Sequence, residues 1–142
     1  MTAGDLDVQR ANKDTIRRAY ENWTWGGDGG PFGLLAEDAS WTIVGTSPVS
    51  RRYTSRRDFL DNVIGPFNAR LATPLVPKVR ALYADGDWVI ALFDASATAK
   101  DGKPYENTYT WYLRLRDGAI VEAIAFFDTL EFTDLWTRVS PS

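Results

Sequence analysis

The chain contains no cysteine and no histidine. The first absence excludes disulfides, thiolate metal sites and cysteine nucleophiles. The second removes the commonest general base near neutral pH and the commonest neutral metal ligand, so no metal site is expected. Acid–base chemistry must then run through Asp, Glu, Tyr, Lys or a bound water. No apolar run is long enough to span a membrane, and the polar N-terminus is no signal peptide. No membrane partner is expected, and a cytoplasmic location is the simplest reading. A formal net charge of -3 argues against a nucleic-acid partner, because phosphate binding needs clustered Lys and Arg. One small basic cluster, Arg51, Arg52, Arg56 and Arg57, is followed closely by Asp58 and Asp61 and reads as solvated surface.

What is present is an ordinary globular composition with a surplus of rings. The 142 residues suit one domain, residues 1–142, and include six Trp, six Tyr and seven Phe. The stretch YENTYTWYLRL at 105–115 concentrates them. Taken alternately, Tyr105, Asn107, Tyr109, Trp111, Leu113 and Leu115 share one strand face. Glu106, Thr108, Thr110, Tyr112 and Arg114 share the other. An inward Asn beside aromatics is costly in a closed core unless satisfied, but suits a pocket where polar groups orient an apolar ligand. The alternative is a dimer interface, where Tyr and Trp are also enriched.

Along the chain, Asn12 is positioned to cap a helix whose Ile16, Tyr20 and Trp23 fall on one face. The glycine-rich 26–31 ends it, and Pro31 suits the first turn of a short second helix through about Ala36. Residues 41–44 read as a short strand. Ser55 with Asp58 resembles a capping box, leading a third helix striped by Phe59, Leu60, Val63, Ile64 and Phe67, which Gly65-Pro66 kinks or ends. Three Asp-Gly pairs at 85–86, 101–102 and 117–118 then mark hairpin turns between four long antiparallel strands. Asp128 and Glu131 are placed to cap a last short helix. The fold class is α+β: a four-strand antiparallel meander plus a short strand, packed on three N-terminal helices. Strands this long curl over the helices.

This order of elements resembles the cone-shaped nuclear transport factor 2-like superfamily. The cues are Glu37-Asp38-Ala39-Ser40-Trp41, the Gly102-Lys103-Pro104-Tyr105 hairpin, and residues 114–122, Arg-Leu-Arg-Asp-Gly-Ala-Ile-Val-Glu. They are similar to SnoaL-like and ketosteroid-isomerase-like members. The resemblance implies an apolar pocket between the concave sheet face and the helices, and often a homodimer through the convex face. It also implies catalytic positions. The isomerase first-helix Tyr falls on Tyr20, its base at about Thr42–Ile43 and its donor on Trp111. The cyclase and epoxide-hydrolase acid of the last strand falls on Ala125, and the cyclases' inward His also falls on Trp111. The epoxide hydrolases' second-strand Asp falls on Asp94, without its Arg.

The resulting expectation is a pocket for a small apolar, aromatic or polycyclic ligand. It serves either a cofactor-free isomerase, cyclase or hydratase or a non-catalytic ligand-binding or dimerisation module. In the catalytic reading Asp94, buried with a raised pKa, is acid and base, Tyr20 and Tyr109 are donors, and Asn107 positions the ligand. Read structurally, Asp94 is hydrated or paired with an Arg, Tyr20 is a core Tyr, and Asp128 is a cap instead of a ligand contact. Trp23, Trp41, Trp88, Trp111 and Phe127 are expected to line the pocket. Thr108, Thr110 and Tyr112 are expected on the convex face of a homodimer.

Overall fold

A computed structural model of the chain describes residues 3–24 and 30–142. Helix α1 spans Ala3–Thr24 and starts well before Asn12, which lies mid-helix and caps nothing. Ile16, Ala19 and Tyr20 form its buried face, continued by half-buried Trp23. The glycine-rich break expected after it lies largely at 25–29, outside the described residues. Gly30–Leu34 forms a 3₁₀ turn, where a helix through Ala36 is expected. Five residues are too few to sustain a helix in isolation. Ala36 already belongs to strand β1 (Leu35–Ile43), whose Leu35, Ala39, Trp41 and Ile43 turn inward.

Strand β2 (Arg52–Tyr53) pairs antiparallel with the end of β1. The Ser55 hydroxyl accepts from the Asp58 N–H at 3.0 Å and starts one bent helix: α2 (Arg56–Phe59), a π-helical turn (Leu60–Ile64) and α3 (Gly65–Asn68). Pro66 has no N–H, and its ring crowds the carbonyl four residues back. The wider turn before it, closed by the Gly65 N–H on the Leu60 carbonyl, accommodates both.

Strands β3 (Val76–Asp85), β4 (Trp88–Thr98), β5 (Pro104–Arg116) and β6 (Ala119–Phe127) form the expected antiparallel meander. The six strands lie in the order β2-β1-β6-β5-β4-β3, and β1 runs parallel to β6, so the sheet is mixed. The sheet is curved and does not close, and the fold class is α+β, as expected. At the β5–β6 hairpin Asp117 (φ 51°) and Gly118 (φ 80°) both take positive φ, as a type I′ turn requires. At the first hairpin the loop is Gly86-Asp87, because Asp85 already pairs with Trp88.

One sheet face is buried. It carries Val89, Ala91, Phe93 and Ala95 of β4, the expected odd-numbered row of β5, and Ile120, Ala123 and Ala125 of β6. Helix α4 (Thr129–Arg138) closes one end through Phe132 and Leu135. Buried Arg70 ties it down, donating from Nε to the Trp136 and Val139 carbonyls at 3.0 and 2.9 Å, with its guanidinium 3.9 Å over the Trp136 ring. No helix among the described residues is long and apolar enough to cross a membrane.

Gly30 sets how closely the 3₁₀ turn meets α1. Its φ is +46°, and a Cβ there would stand 2.6 Å from the Trp23 Cβ. Gly30→Ala should therefore destabilise the chain by about 1–3 kcal/mol, through backbone strain and displacement of Trp23. Urea denaturation followed by circular dichroism measures this, and a variant as stable as the parent would contradict it.

Candidate functional site

Between the inner sheet face and the bent helix lies a cavity of about 810 Å³. The sheet contributes Trp41, Ile43, Tyr109, Trp111, Ala125 and Phe127, and the bent helix contributes Arg56, Phe59, Leu60, Val63, Ile64 and Phe67. Trp23, Phe32 and Phe132 complete the interior, and the loop 71–75 with Val76 at the head of β3 forms another wall. The exposed lining residues Gly33, Asn68, Ala72, Thr73 and Pro74 frame its mouth. The helix stripe was legible as an amphipathic face. The loop carries no periodicity, and sequence reasoning missed it.

The rings hold one another in fixed orientations. Trp23 stacks on Trp111 (5.8 Å, 17°) and Trp41 on Phe59 (4.2 Å, 13°). Trp41 meets Trp111 edge-on at 4.9 Å and 85°. Each such pair adds about 0.5–1.5 kcal/mol beyond the area it buries. Trp23, Trp41, Trp111, Tyr109 and Phe127 therefore lie where the sequence places them, along the cavity. Trp88 does not. It pairs with Arg114 and Asp85 on the outer face, half-exposed, because it shares parity with Ile90 and Leu92.

Tyr109 is the wall's phenol. Its hydroxyl lies 2.7 Å from that of Tyr105, and burial raises it well above the ordinary phenol value. Burial likewise pushes Tyr105 up to about 12. Both stay protonated at neutral pH, so neither is a base there. Asn107 points inward as expected but does not line the cavity. Its Nδ2 donates to the Tyr105 hydroxyl (2.8 Å) and to the Asp128 carbonyl (3.0 Å). Its Oδ1 accepts from the N–H groups of Thr108 (2.8 Å) and Asp128 (3.1 Å). All four capacities of the amide are used, so the expected ligand-positioning role is replaced by a structural one. Asp128 is likewise a cap: its carboxylate accepts from the Leu130 and Glu131 N–H groups at 3.0 and 3.3 Å.

Asp94 overturns its expectation. It pairs with Lys78 and Thr108 on the outer sheet face, away from the cavity. Arg80 grips it through two bonds of 2.8 and 2.9 Å, and the Thr108 hydroxyl donates at 2.6 Å. These donors hold its pKa below the usual carboxylate value, where a rise is expected, Arg80 being the larger cause. Tyr20 is buried beneath the rings, 4.9 Å edge-on from Phe93, and does not line the cavity. Its hydroxyl is raised far above the ordinary value by burial.

Arg56 is the residue that sequence reading assigned to the solvent and the fold gives to the cavity. Arg51 and Arg57 fit the surface reading, bound to Asp58 and Asp61. Among the described lining residues there is no Asp, Glu or Lys, and Arg56 is the one charged group.

A model of the SnoaL-like domain matches residues 16–123. The chain belongs to the SnoaL-like family. No protein of curated function matches it in sequence. Among solved structures, a loop truncation variant of IdmH is 28% identical, with a TM-score of 0.66, covering 84% of this chain and 94% of that one. A putative SnoaL-like polyketide cyclase from Jannaschia sp. CCS1 is 14% identical, with a TM-score of 0.71, covering 92% and 94%. TerC, co-crystallized with polyporic acid, is 17% identical, with a TM-score of 0.71, covering 89% and 98%. Of the positions aligned above with relatives' catalytic groups, Ile43, Trp111 and Ala125 face the cavity and carry no titratable group, whereas Tyr20 and Asp94 do not line it.

The Asp94–Arg80 pair makes a pH-dependent contribution to stability. A carboxyl whose folded pKa is depressed stabilises fully above its unfolded value of about 3.9 and loses that contribution as pH falls through the folded value. Asp94→Asn should lower the urea midpoint at pH 7, and the deficit should vanish toward pH 2. Midpoints across that range test it, and a deficit unchanged at pH 2 would refute the pairing as its cause.

Proposed function

We propose that this SnoaL-like protein is a small-molecule-binding protein whose cavity takes a compact, flat, largely apolar ligand, aromatic or polycyclic. The observation that carries the reading is an aromatic-walled cavity of about 810 Å³ with no carboxylate among its described lining residues. Trp23, Trp41, Trp111 and Phe127 would stack on or flank the ligand, and Tyr109 would donate to it. TerC, a fold relative co-crystallized with polyporic acid, is consistent with such a ligand. A cofactor-free isomerase, cyclase or hydratase is the second reading, favoured by Tyr109 in the cavity wall as a protonated phenol. Such a catalyst would act by confinement and hydrogen-bond donation, since Asp94 sits on the outer sheet face and not among the cavity's lining residues.

Titration with a panel of hydroxylated polycyclic quinones, followed by quenching of tryptophan fluorescence, tests the binding. Ala125→Phe should fill the cavity floor and weaken binding on the order of tenfold or more. Asp94→Asn should leave it unchanged. Equal binding by Ala125→Phe, or a loss in Asp94→Asn, would move the ligand out of this cavity.

We also propose that two copies pair through the outer sheet face, around Thr108, Thr110 and Tyr112. Tyr112 packs edge-on to Phe126 at 5.8 Å, and Phe126 is 45% exposed, an apolar area that a second sheet would cover. Light scattering should give twice the chain mass of 15.9 kDa, and a mass near 15.9 kDa would refute the pairing.

A further inference from the structure

We propose that Arg56 is the anion-recognising residue of this cavity, and that the ligand carries an ionised oxygen, a carboxylate or acidic hydroxyl, on its flat frame. The inference rests on the cavity being a ligand site and adds the chemistry of its one charged contact.

The acids nearest Arg56 in sequence are already engaged. Arg51 forks onto Asp58 at 3.2 and 3.0 Å, and the same carboxylate accepts from the Thr54 N–H and the Asn62 amide. Arg57 reaches Asp61 at 3.5 Å. Arg56 makes no ion pair with any described residue. Its Nε is shielded from solvent and finds no hydrogen-bond partner among them. A guanidinium presents five N–H donors and accepts nothing, so only an acceptor can satisfy it.

The surroundings sharpen the preference. A buried donor without an acceptor costs free energy, and an apolar wall strengthens any charge that answers it. An oxyanion entering this cavity would meet Arg56 and a protonated Tyr109, with no carboxylate among the described lining residues to repel it. A guanidinium grips a carboxylate through two parallel bonds, which fixes orientation as well as charge. A neutral ring system of the same shape would stack equally well and leave Arg56 unanswered. A cationic one would be repelled.

The test uses two flat probes of nearly equal shape, anthraquinone-2-carboxylate and anthraquinone-2-carboxamide. Each is titrated at pH 7 against the parent chain and Arg56→Met, and tryptophan quenching is read. The parent should take the carboxylate on the order of tenfold or more tighter than the amide. Arg56→Met should bind the amide with parental affinity and the carboxylate no better, which also shows that the variant is folded. Should circular dichroism find Arg56→Met unfolded, Arg56→Gln is read in the same way. Equal affinity of the parent for both probes, or a preference that survives the substitution, overturns the inference and leaves the cavity a ligand site. Binding of neither probe to the parent overturns the ligand-site reading, and this inference with it.

Discussion

Trp111 is the packing point on which the interior turns. Its ring meets those of Tyr20, Trp23, Phe32, Trp41, Phe93 and Tyr109. Through them, the middle of β5 is tied to α1, the 3₁₀ turn, β1 and β4. A core residue normally has neighbours on all sides. Trp111 is 5% exposed and still fronts the cavity, so its neighbours must hold it from behind and from the flanks. Rings have few rotamers to lose, and interlocked rings resist collapse into an adjacent space. The cavity persists because its wall is stiff.

The polar groups follow the same division. Those on the core side are bonded to one another: the Asn107 amide stands in for a length of backbone where β5 and β6 part, pairing with both polar groups of Asp128. That pairing sets where α4 starts, and so where Phe132 meets the cavity. Arg70 performs the same service for the far end of α4, joining the Trp136 and Val139 carbonyls to that of Pro66 in the bent helix. Arg56 is the exception on the cavity side.

The strand content, the hairpin spacing and the inner row of β5 were legible because alternation with a period of two is a direct record of facing. The parity of β4 was not. Its run from Trp88 to Phe93 is apolar on both faces, so nothing in the sequence said whether Asp94 follows the inner or the outer row. The register with Thr108 decides it. Asn107 was placed on the correct side, but its partner is 21 residues away along the chain. The parallel pairing of β1 with β6 joins segments with no local signal between them. Arg56 was hidden by its neighbours, since a basic cluster followed by acids is ordinarily solvated, and only the helix's orientation separates it from Arg57.

The phenols of the interior have a consequence for proton linkage. Tyr109 keeps its proton far into the alkaline range, the chain has no imidazole, and the described cavity walls hold no carboxylate. Those walls therefore have no group to exchange a proton with an incoming molecule around neutrality. The ionisation equilibrium left for complex formation to shift is then the ligand's own. Uptake or release of protons on complex formation, read calorimetrically in buffers of different ionisation heat, would belong to the ligand's titration curve and identify its acidic group.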